Sequence, residues 1–156
     1  CTAVDPIRGL GRLTDMRGVE VAGATGWYDT SYENKRAAAV DALRDGLDLF
    51  LIHIEASDEA GHAGDLEQKI TSLERWDARV LTPLVGELDA LGPWRMLLMP
   101  DHPTPVALKT HTMDPVPWMI FDSTADGPGG TYSEPATADA VPVPGHRLMS
   151  RLLQRA

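Results

Sequence analysis

Apolar residues recur at helical spacing in four parts of the chain. The longest of these patterns covers residues 65–91 and is followed by Gly92, a residue that commonly ends a helix. Pro83 falls inside this pattern, and proline removes one helical hydrogen bond, so we expect a kink or a division into two helices there. Three further helices are predicted at residues 3–13, 33–44 and 146–154.

Short, nearly continuous apolar runs alternate with these helices. Residues 48–54 form such a run, which is typical of a strand buried on both faces of a parallel sheet. Similar runs predict strands at 94–99 and 117–121, and residues 18–21 predict a short one. Strands that alternate with helices indicate an α/β fold with a mainly parallel sheet. The stretch 122–145, rich in glycine, proline, serine and threonine, is expected to form a surface loop.

Composition limits the class of partner. The 156 residues carry 14 Lys and Arg against 23 Asp and Glu, which gives a formal net charge of -9. Nucleic acid and anionic membranes bind basic surfaces, so neither is an expected partner. No apolar run approaches the ~18 residues of a transmembrane helix. Cys1 is the only cysteine, which excludes a disulfide framework and fits an expected cytoplasmic location.

Aspartate and histidine residues cluster beside the predicted strands. Asp58 and His62 follow one strand, Asp101 and His102 follow the next, and His111 precedes the last. Ligands of open α/β sheets gather outside the carboxyl ends of the strands. Carboxylates and neutral imidazoles bind borderline divalent ions such as zinc and manganese. The sequence therefore predicts a divalent metal site that contains these five residues.

The spacing within each pair says how its members could share an ion. Asp58 and His62 are four residues apart, so a helical turn would place them on one face. Asp101 and His102 are adjacent and would point in opposite directions from a straight strand. They can bind one ion only if the chain turns, and the prolines on either side favour a turn. Two glycines near the first pair let the backbone bend or approach closely there: Gly61 and Gly64.

Other polar residues have more ordinary interpretations. His53 lies within an apolar run, which favours a structural histidine or one that supports a metal ligand. Glu55 and Glu59 flank the first pair, and solvated carboxylates are the expected interpretation. Four basic residues are candidate phosphate contacts, although ordinary surface positions are favoured for all of them: Arg8, Arg12, Lys35 and Lys109.

Three motifs, in this order, resemble the cofactor-independent phosphoglycerate mutases of the archaeal type. They are HIEASDEAGHAGD at 53–65, MPDHPTP at 99–105 and THTMDPVP at 110–117. The runs GATG at 23–26, DTSY at 29–32 and PGHRLM at 144–149 also fit. The resemblance covers nearly the whole chain. It implies an alkaline-phosphatase-like three-layer sandwich, in which helices cover both faces of a mainly parallel sheet.

The resemblance also implies an activity. Members of this family interconvert 3-phosphoglycerate and 2-phosphoglycerate in glycolysis and gluconeogenesis through a phosphoserine intermediate, without 2,3-bisphosphoglycerate. They use two divalent ions, usually manganese, with zinc, cobalt or magnesium in some members. By motif position, Asp58, His62 and His111 would bind one ion, and Asp101 with His102 would bind the other.

The chain also departs from the family pattern. In the family, an N-terminal aspartate and the nucleophilic serine complete the second metal site, and both precede an inserted substrate domain. No serine of this chain occupies the nucleophile's motif. Residues 1–156 are therefore expected to be the C-terminal part of the metal-binding domain, inactive alone. The serines considered are Ser57, Ser72, Ser123, Ser133 and Ser150.

One consequence and two alternative functions follow. Without the family's first strand, the sheet should have an uncovered edge that favours self-association. One alternative function is another phosphotransferase or phosphatase of the alkaline-phosphatase superfamily, such as a homoserine kinase-like protein. The other alternative is a metal-binding module without enzymatic activity.

Overall fold

The computed structural model describes residues 1–154, which fall into two compact units. The first unit comprises Cys1–Leu91 with Thr104–Thr110, and the second comprises Gly92–Pro103 with residues 111–154. The first contains α1 (Asp5–Leu13), α2 (Tyr32–Arg44), α3 (Ala56–Ala63), α4 (Leu66–Trp76), a π-helical turn (Asp77–Leu81) and α5 (Thr82–Asp89). The second contains β1 (Arg95–Leu98), β2 (Met119–Asp122), α6 (Glu134–Thr137) and α7 (His146–Leu153).

The core of the first unit is built mainly from helices. Its centre consists of the buried side chains Tyr32, Ala56 and Val80, which come from α2, α3 and the π-helical turn. The hydroxyl of Ser31 accepts the Asn34 backbone N–H at 3.3 Å, which caps the start of α2 as serine commonly does. The predicted helices 3–13 and 33–44 are therefore confirmed as α1 and α2.

The long helical pattern at 65–91 is divided, as the position of Pro83 predicts. Pro83 has no N–H with which to bond the Arg79 carbonyl, and this carbonyl instead accepts the Arg36 Nη1 donor at 2.8 Å. Just before Pro83, the N–H of Thr82 bonds the Asp77 carbonyl, five residues back, which is the hydrogen bond of a π-helix. The division is thus a π-helical turn between α4 and α5, not a loop.

The prediction of a mainly parallel sheet is wrong. Within residues 1–154 the sheet has two strands, β1 and β2, which pair antiparallel with Arg95 opposite Asp122 and Leu98 opposite Met119. Helices make up most of the regular structure. The three-layer sandwich implied by the resemblance is therefore also wrong for residues 1–154, because it requires a mainly parallel sheet. The runs 94–99 and 117–121 do give strands. The connection between them contains no helix, so they pair as neighbours running in opposite directions.

The apolar run 48–54 is the reason for this error. Its residues belong to no strand in the structure, and the same holds for residues 18–21. The N–H of His53 donates to the Cys1 carbonyl at 3.1 Å, and the Cys1 amino group donates to the Leu51 carbonyl. Ile52 and Ile54 pack against the buried core of the first unit. An apolar run predicts burial correctly here, but it does not specify the strand partners that a sheet requires.

The second unit is held together by polar contacts around Arg95. Its Nε lies 3.0 Å from Asp122 Oδ2 on the opposite strand, and its Nη1 donates to the Leu152 carbonyl of α7 at 2.8 Å. Hydrogen bonds from Thr124, with a smaller contribution from Arg95, lower the pKa of Asp122. The predicted closing helix is confirmed as α7, and the predicted loop 122–145 contains only the short α6. Among the described residues, none of the helices combines the length and apolarity needed to cross a bilayer.

Candidate metal-binding residues

Asp58 and His62 lie on one face of α3, as their spacing predicts. The Oδ2 atom of Asp58 is 3.4 Å from Nε2 of His62, one helical turn further along. Gly64 follows the end of α3 with φ = +76°, a left-handed conformation that glycine adopts readily. A carboxylate oxygen and an imidazole nitrogen are therefore adjacent donors on a short helix.

A segment from Thr104 to Lys109, here called the 104–109 segment, contacts both of these side chains. The Thr104 hydroxyl donates to Oδ1 of Asp58, and Nδ1 of His62 lies 3.1 Å from the Lys109 carbonyl oxygen. A carbonyl oxygen only accepts hydrogen bonds, so Nδ1 of His62 must carry the proton. In neutral His62, Nε2 is then the nitrogen that carries the lone pair with which an imidazole binds a metal ion.

Two glycines of the first motif make this contact sterically feasible. A Cβ atom at Gly61 would lie within 3.0 Å of the Thr104 carbonyl oxygen, and one at Gly64 would lie within 3.0 Å of the Lys109 side chain. The sequence-based expectation of a close approach at these two positions is therefore confirmed. The 104–109 segment is what approaches.

Thr104 is itself buried and anchored. Its residue is 4% exposed, and its carbonyl oxygen accepts the Lys69 ammonium group at 2.6 Å. Hydrogen bonds from a charged donor are stronger than those between neutral groups. Lys69 on α4 thus fixes the backbone at the point where the segment contacts Asp58.

Lys35 is a buried cation of the first unit, and its expected surface position is wrong. The residue is only 1% exposed, and its Nζ donates to the carbonyls of His53 at 3.0 Å and Thr25 at 3.4 Å. Burial lowers the pKa of Lys35, and the charge of Glu55 acts in the opposite direction. The ammonium group therefore ties together the backbone that leads into α3.

The second unit contains the other three predicted ligands. The chain bends at Asp101 and His102, and Oδ2 of Asp101 lies 3.3 Å from Nε2 of His102. The bend expected from the flanking prolines therefore brings the two adjacent side chains together. The His102 and His111 rings lie 3.7 Å apart between centroids, with a ring nitrogen of each within 4.8 Å of the other.

The donor types in both units suit a divalent metal ion. Asp58 with His62 in the first unit, and Asp101, His102 and His111 in the second, offer carboxylate oxygens and imidazole nitrogens. These are the donors that zinc and manganese accept. The hydrogen bond that fixes Nδ1 of His62 is also a common feature of metal-binding histidines.

Sequence reasoning missed the residues that surround the first pair. Thr104 lies inside the MPDHPTP motif, but its position in the sequence predicts no role for it, and the same is true of Lys69. For Lys109, the sequence predicts only a phosphate contact or an ordinary surface charge. The signal available in the sequence was the pair of glycines at 61 and 64, whose spacing places both beside the same neighbour on a helix. That signal predicts a close contact without identifying which segment makes it.

Comparison with known proteins gives a consistent family signal. A family model described as the metalloenzyme superfamily matches residues 1–149. The chain is 43% identical, over 99% of its length, to a probable 2,3-bisphosphoglycerate-independent phosphoglycerate mutase from Geobacter sulfurreducens. It is 50% identical, over 78% of its length, to the 2,3-bisphosphoglycerate-independent phosphoglycerate mutase from Methanothrix thermoacetophila. These matches confirm the resemblance to the phosphoglycerate mutases.

A solved structure gives a similar result. The structure of the PH0037 protein from Pyrococcus horikoshii matches 97% of this chain with a TM-score of 0.83 and 27% sequence identity. The chain spans 46% of that protein, 39% of the Geobacter relative and 31% of the Methanothrix relative. The similarity therefore covers nearly all of this chain and less than half of each relative.

Proposed function

The chain belongs to the metalloenzyme superfamily, and from this premise we propose that it supplies metal-binding residues of a phosphoglycerate mutase. The proposed reaction interconverts 3-phosphoglycerate and 2-phosphoglycerate without 2,3-bisphosphoglycerate. The observation that carries the proposal is the 43% identity over 99% of the chain to a probable mutase of that name. The chain spans less than half the length of these relatives, so the activity of the whole protein is itself proposed.

We propose that the five predicted residues bind two divalent ions, with manganese the first choice. Asp58, His62 and His111 bind one ion, and Asp101 and His102 bind the other. Such ions, when bound, neutralise phosphoryl oxygens and lower the pKa of a hydroxyl nucleophile. The positive charge of the bound ions also explains how a chain with a net charge of -9 can bind an anionic substrate.

In this scheme the protein's own residues supply and orient the ligand atoms. The Asp58 carboxylate supplies negative charge, and His62, with its proton held at Nδ1, presents Nε2. Asp101 and His102 face each other across a bend, so both can be directed to the same side. The nucleophilic serine is proposed to lie outside these 156 residues, in keeping with the family pattern. The isolated chain should then bind metal without turnover.

An enolase-coupled assay tests this function. The protein from the reading frame that encodes these residues is stripped of metal with EDTA and incubated with 3-phosphoglycerate, with or without Mn²⁺. After the reaction is quenched, the 2-phosphoglycerate formed is measured with enolase that is supplied with its own metal. We expect activity that depends on Mn²⁺ and is lost in Asp58→Ala, and no activity from the 156-residue chain alone. Turnover by the isolated chain would contradict the assignment of the serine.

A panel of phosphate esters, with the products followed by phosphorus NMR, separates the alternatives. Preference for a different ester would indicate another phosphotransferase or phosphatase of the superfamily. Metal binding with no turnover of any ester by the full reading frame would indicate a module without enzymatic activity.

We also propose that the chain self-associates, although not through the parallel sheet edge expected from the sequence. Leu13 on α1 is 85% exposed, and Leu10 and Leu51 are also largely exposed. Exposed apolar side chains favour association. Light scattering should show a mass that rises with concentration and falls toward the monomer in Leu13→Glu. A constant monomeric mass for the unmodified chain would contradict this.

A further inference from the structure

We infer that the 104–109 segment positions Asp58 and His62 for metal binding, with Thr104 acting on the carboxylate and the Lys109 carbonyl acting on the imidazole. None of the segment's residues is itself a proposed ligand. The inference rests on the proposed function, because it concerns the ion that Asp58 and His62 are proposed to bind.

Because of the contact with Thr104, the two carboxylate oxygens of Asp58 have different partners. Oδ1 accepts the Thr104 hydroxyl, while Oδ2 faces Nε2 of His62 at 3.4 Å. A carboxylate held through one oxygen has less rotational freedom, so the other oxygen is already directed toward the neighbouring nitrogen. The buried position of Thr104 protects this hydrogen bond from competition with water.

The contact with Lys109 selects one tautomer of His62. The carbonyl oxygen of Lys109 holds the proton on Nδ1, at 3.1 Å. The opposite tautomer would place a proton on Nε2, which would block the nitrogen that faces Asp58. The same segment therefore orients one ligand and sets the protonation pattern of the other.

The segment has the rigidity that positioning requires. The N–H groups of Leu108 and Lys109 both donate to the Pro105 carbonyl, at 3.0 Å and 2.9 Å. Lys69 holds the other end through the Thr104 carbonyl at 2.6 Å. The first two bonds hold the Lys109 end of the segment to its own Pro105 carbonyl. The third bond holds the Thr104 end to α4.

The backbone of Lys109 gives independent support. Its φ angle is +56°, a left-handed conformation that is unfavourable for any residue with a side chain. Unfavourable backbone conformations persist where the surrounding structure requires them, and they occur often at functional sites. Here the unusual conformation occurs at the residue whose carbonyl contacts His62.

A purely structural role for the segment makes a different prediction. If the segment only closes the fold, loss of the Thr104 hydroxyl should lower stability and leave metal affinity unchanged. If it positions the ligands, affinity should fall, and a serine should restore it. Support from residues that surround metal ligands is commonly worth ten- to a hundredfold in affinity.

Calorimetric titration of the metal-free 156-residue chain with Mn²⁺ tests the inference. The variants are Thr104→Val, which has nearly the same shape but no hydroxyl, Thr104→Ser, and Asp58→Asn as a ligand control. We expect Thr104→Val to bind about ten- to a hundredfold more weakly and Thr104→Ser to bind within a few-fold of the unmodified chain. Lys69→Met, which releases the Thr104 carbonyl, should also weaken binding and serves if Thr104→Val does not fold.

The tautomer of His62 provides a readout that needs no metal. Nitrogen NMR of the metal-free chain should show the proton on Nδ1 of neutral His62. A predominant Nε2 tautomer would overturn the assignment to Lys109.

The outcomes separate this inference from the proposed function. If Asp58→Asn loses Mn²⁺ while Thr104→Val binds normally, the metal site remains and the positioning role is overturned. If weakened binding in Thr104→Val is not restored by serine, the role of the hydroxyl is also overturned. If the unmodified chain binds no Mn²⁺ at all, both the metal site and the positioning role fail.

Discussion

Replacing Asp58 with asparagine should lower the affinity of the chain for Mn²⁺ by a hundredfold or more while leaving the fold intact. Asparagine has nearly the same size as aspartate, so the contact with the Thr104 hydroxyl can remain. The variant loses the negative charge and places an amide donor or an uncharged oxygen beside Nε2 of His62. The expected loss exceeds the roughly ten- to hundredfold effect of residues that only support a ligand.

Glu59→Gln is the matched control for this experiment. It removes the same charge one residue further along α3, from a side chain that is not among the proposed ligands. We expect its Mn²⁺ affinity to stay within a few-fold of the unmodified chain. Equal losses in both variants would mean that net charge alone, and not a ligand at position 58, governs binding.

Replacing Gly61 with alanine should destabilise the first unit. The added methyl group would lie within 3.0 Å of the Thr104 carbonyl oxygen, which is backbone and is held by Lys69. Forced overpacking of this kind costs about 1–3 kcal/mol of unfolding free energy. The cost outweighs the gain of up to about 1 kcal/mol that alanine brings to a helix interior. Urea unfolding followed by circular dichroism measures the difference.

Gly86→Ala provides the opposite expectation in the same chain. Gly86 lies within α5, and apart from the two adjacent residues and the backbone of the helix itself, no atom lies within 4 Å of the position that its Cβ would take. The substitution should therefore stabilise the chain by about 0.5–1 kcal/mol. A stabilised Gly61→Ala variant would show that the 104–109 segment is not packed against α3 as described.

Local patterns predicted the helices and the juxtaposition of Asp58 and His62 well. The capping serine before α2, the spacing of Asp58 and His62, and the division of the long helix near Pro83 all follow from neighbours in the chain. Such features depend on contacts within one or two turns of a helix. Sequence spacing alone is enough to specify them.

Contacts between distant residues could not be predicted in this way. The run 48–54 is apolar and packs inward, yet sheet formation depends on partner strands that the run itself does not encode. Thr104 and Asp58 are 46 positions apart, and Lys69 and Thr104 are 35 apart. The buried state of Lys35 likewise depends on carbonyls of Thr25 and His53 that surround it in space. In each case the determining contact lies outside any local pattern.

The π-helical turn between α4 and α5 has a consequence for how insertions and deletions act. Each residue rotates an α-helix by about 100°, and a π-helical turn accommodates one residue more than an α-helical turn. That extra residue sets the rotation of α5, whose buried side chains are Leu84 and Leu88. Removing one residue from Asp77–Leu81 would rotate both leucines by about 100° relative to α4, away from the core. The number of residues in this turn, more than their identity, therefore determines which side of α5 is buried.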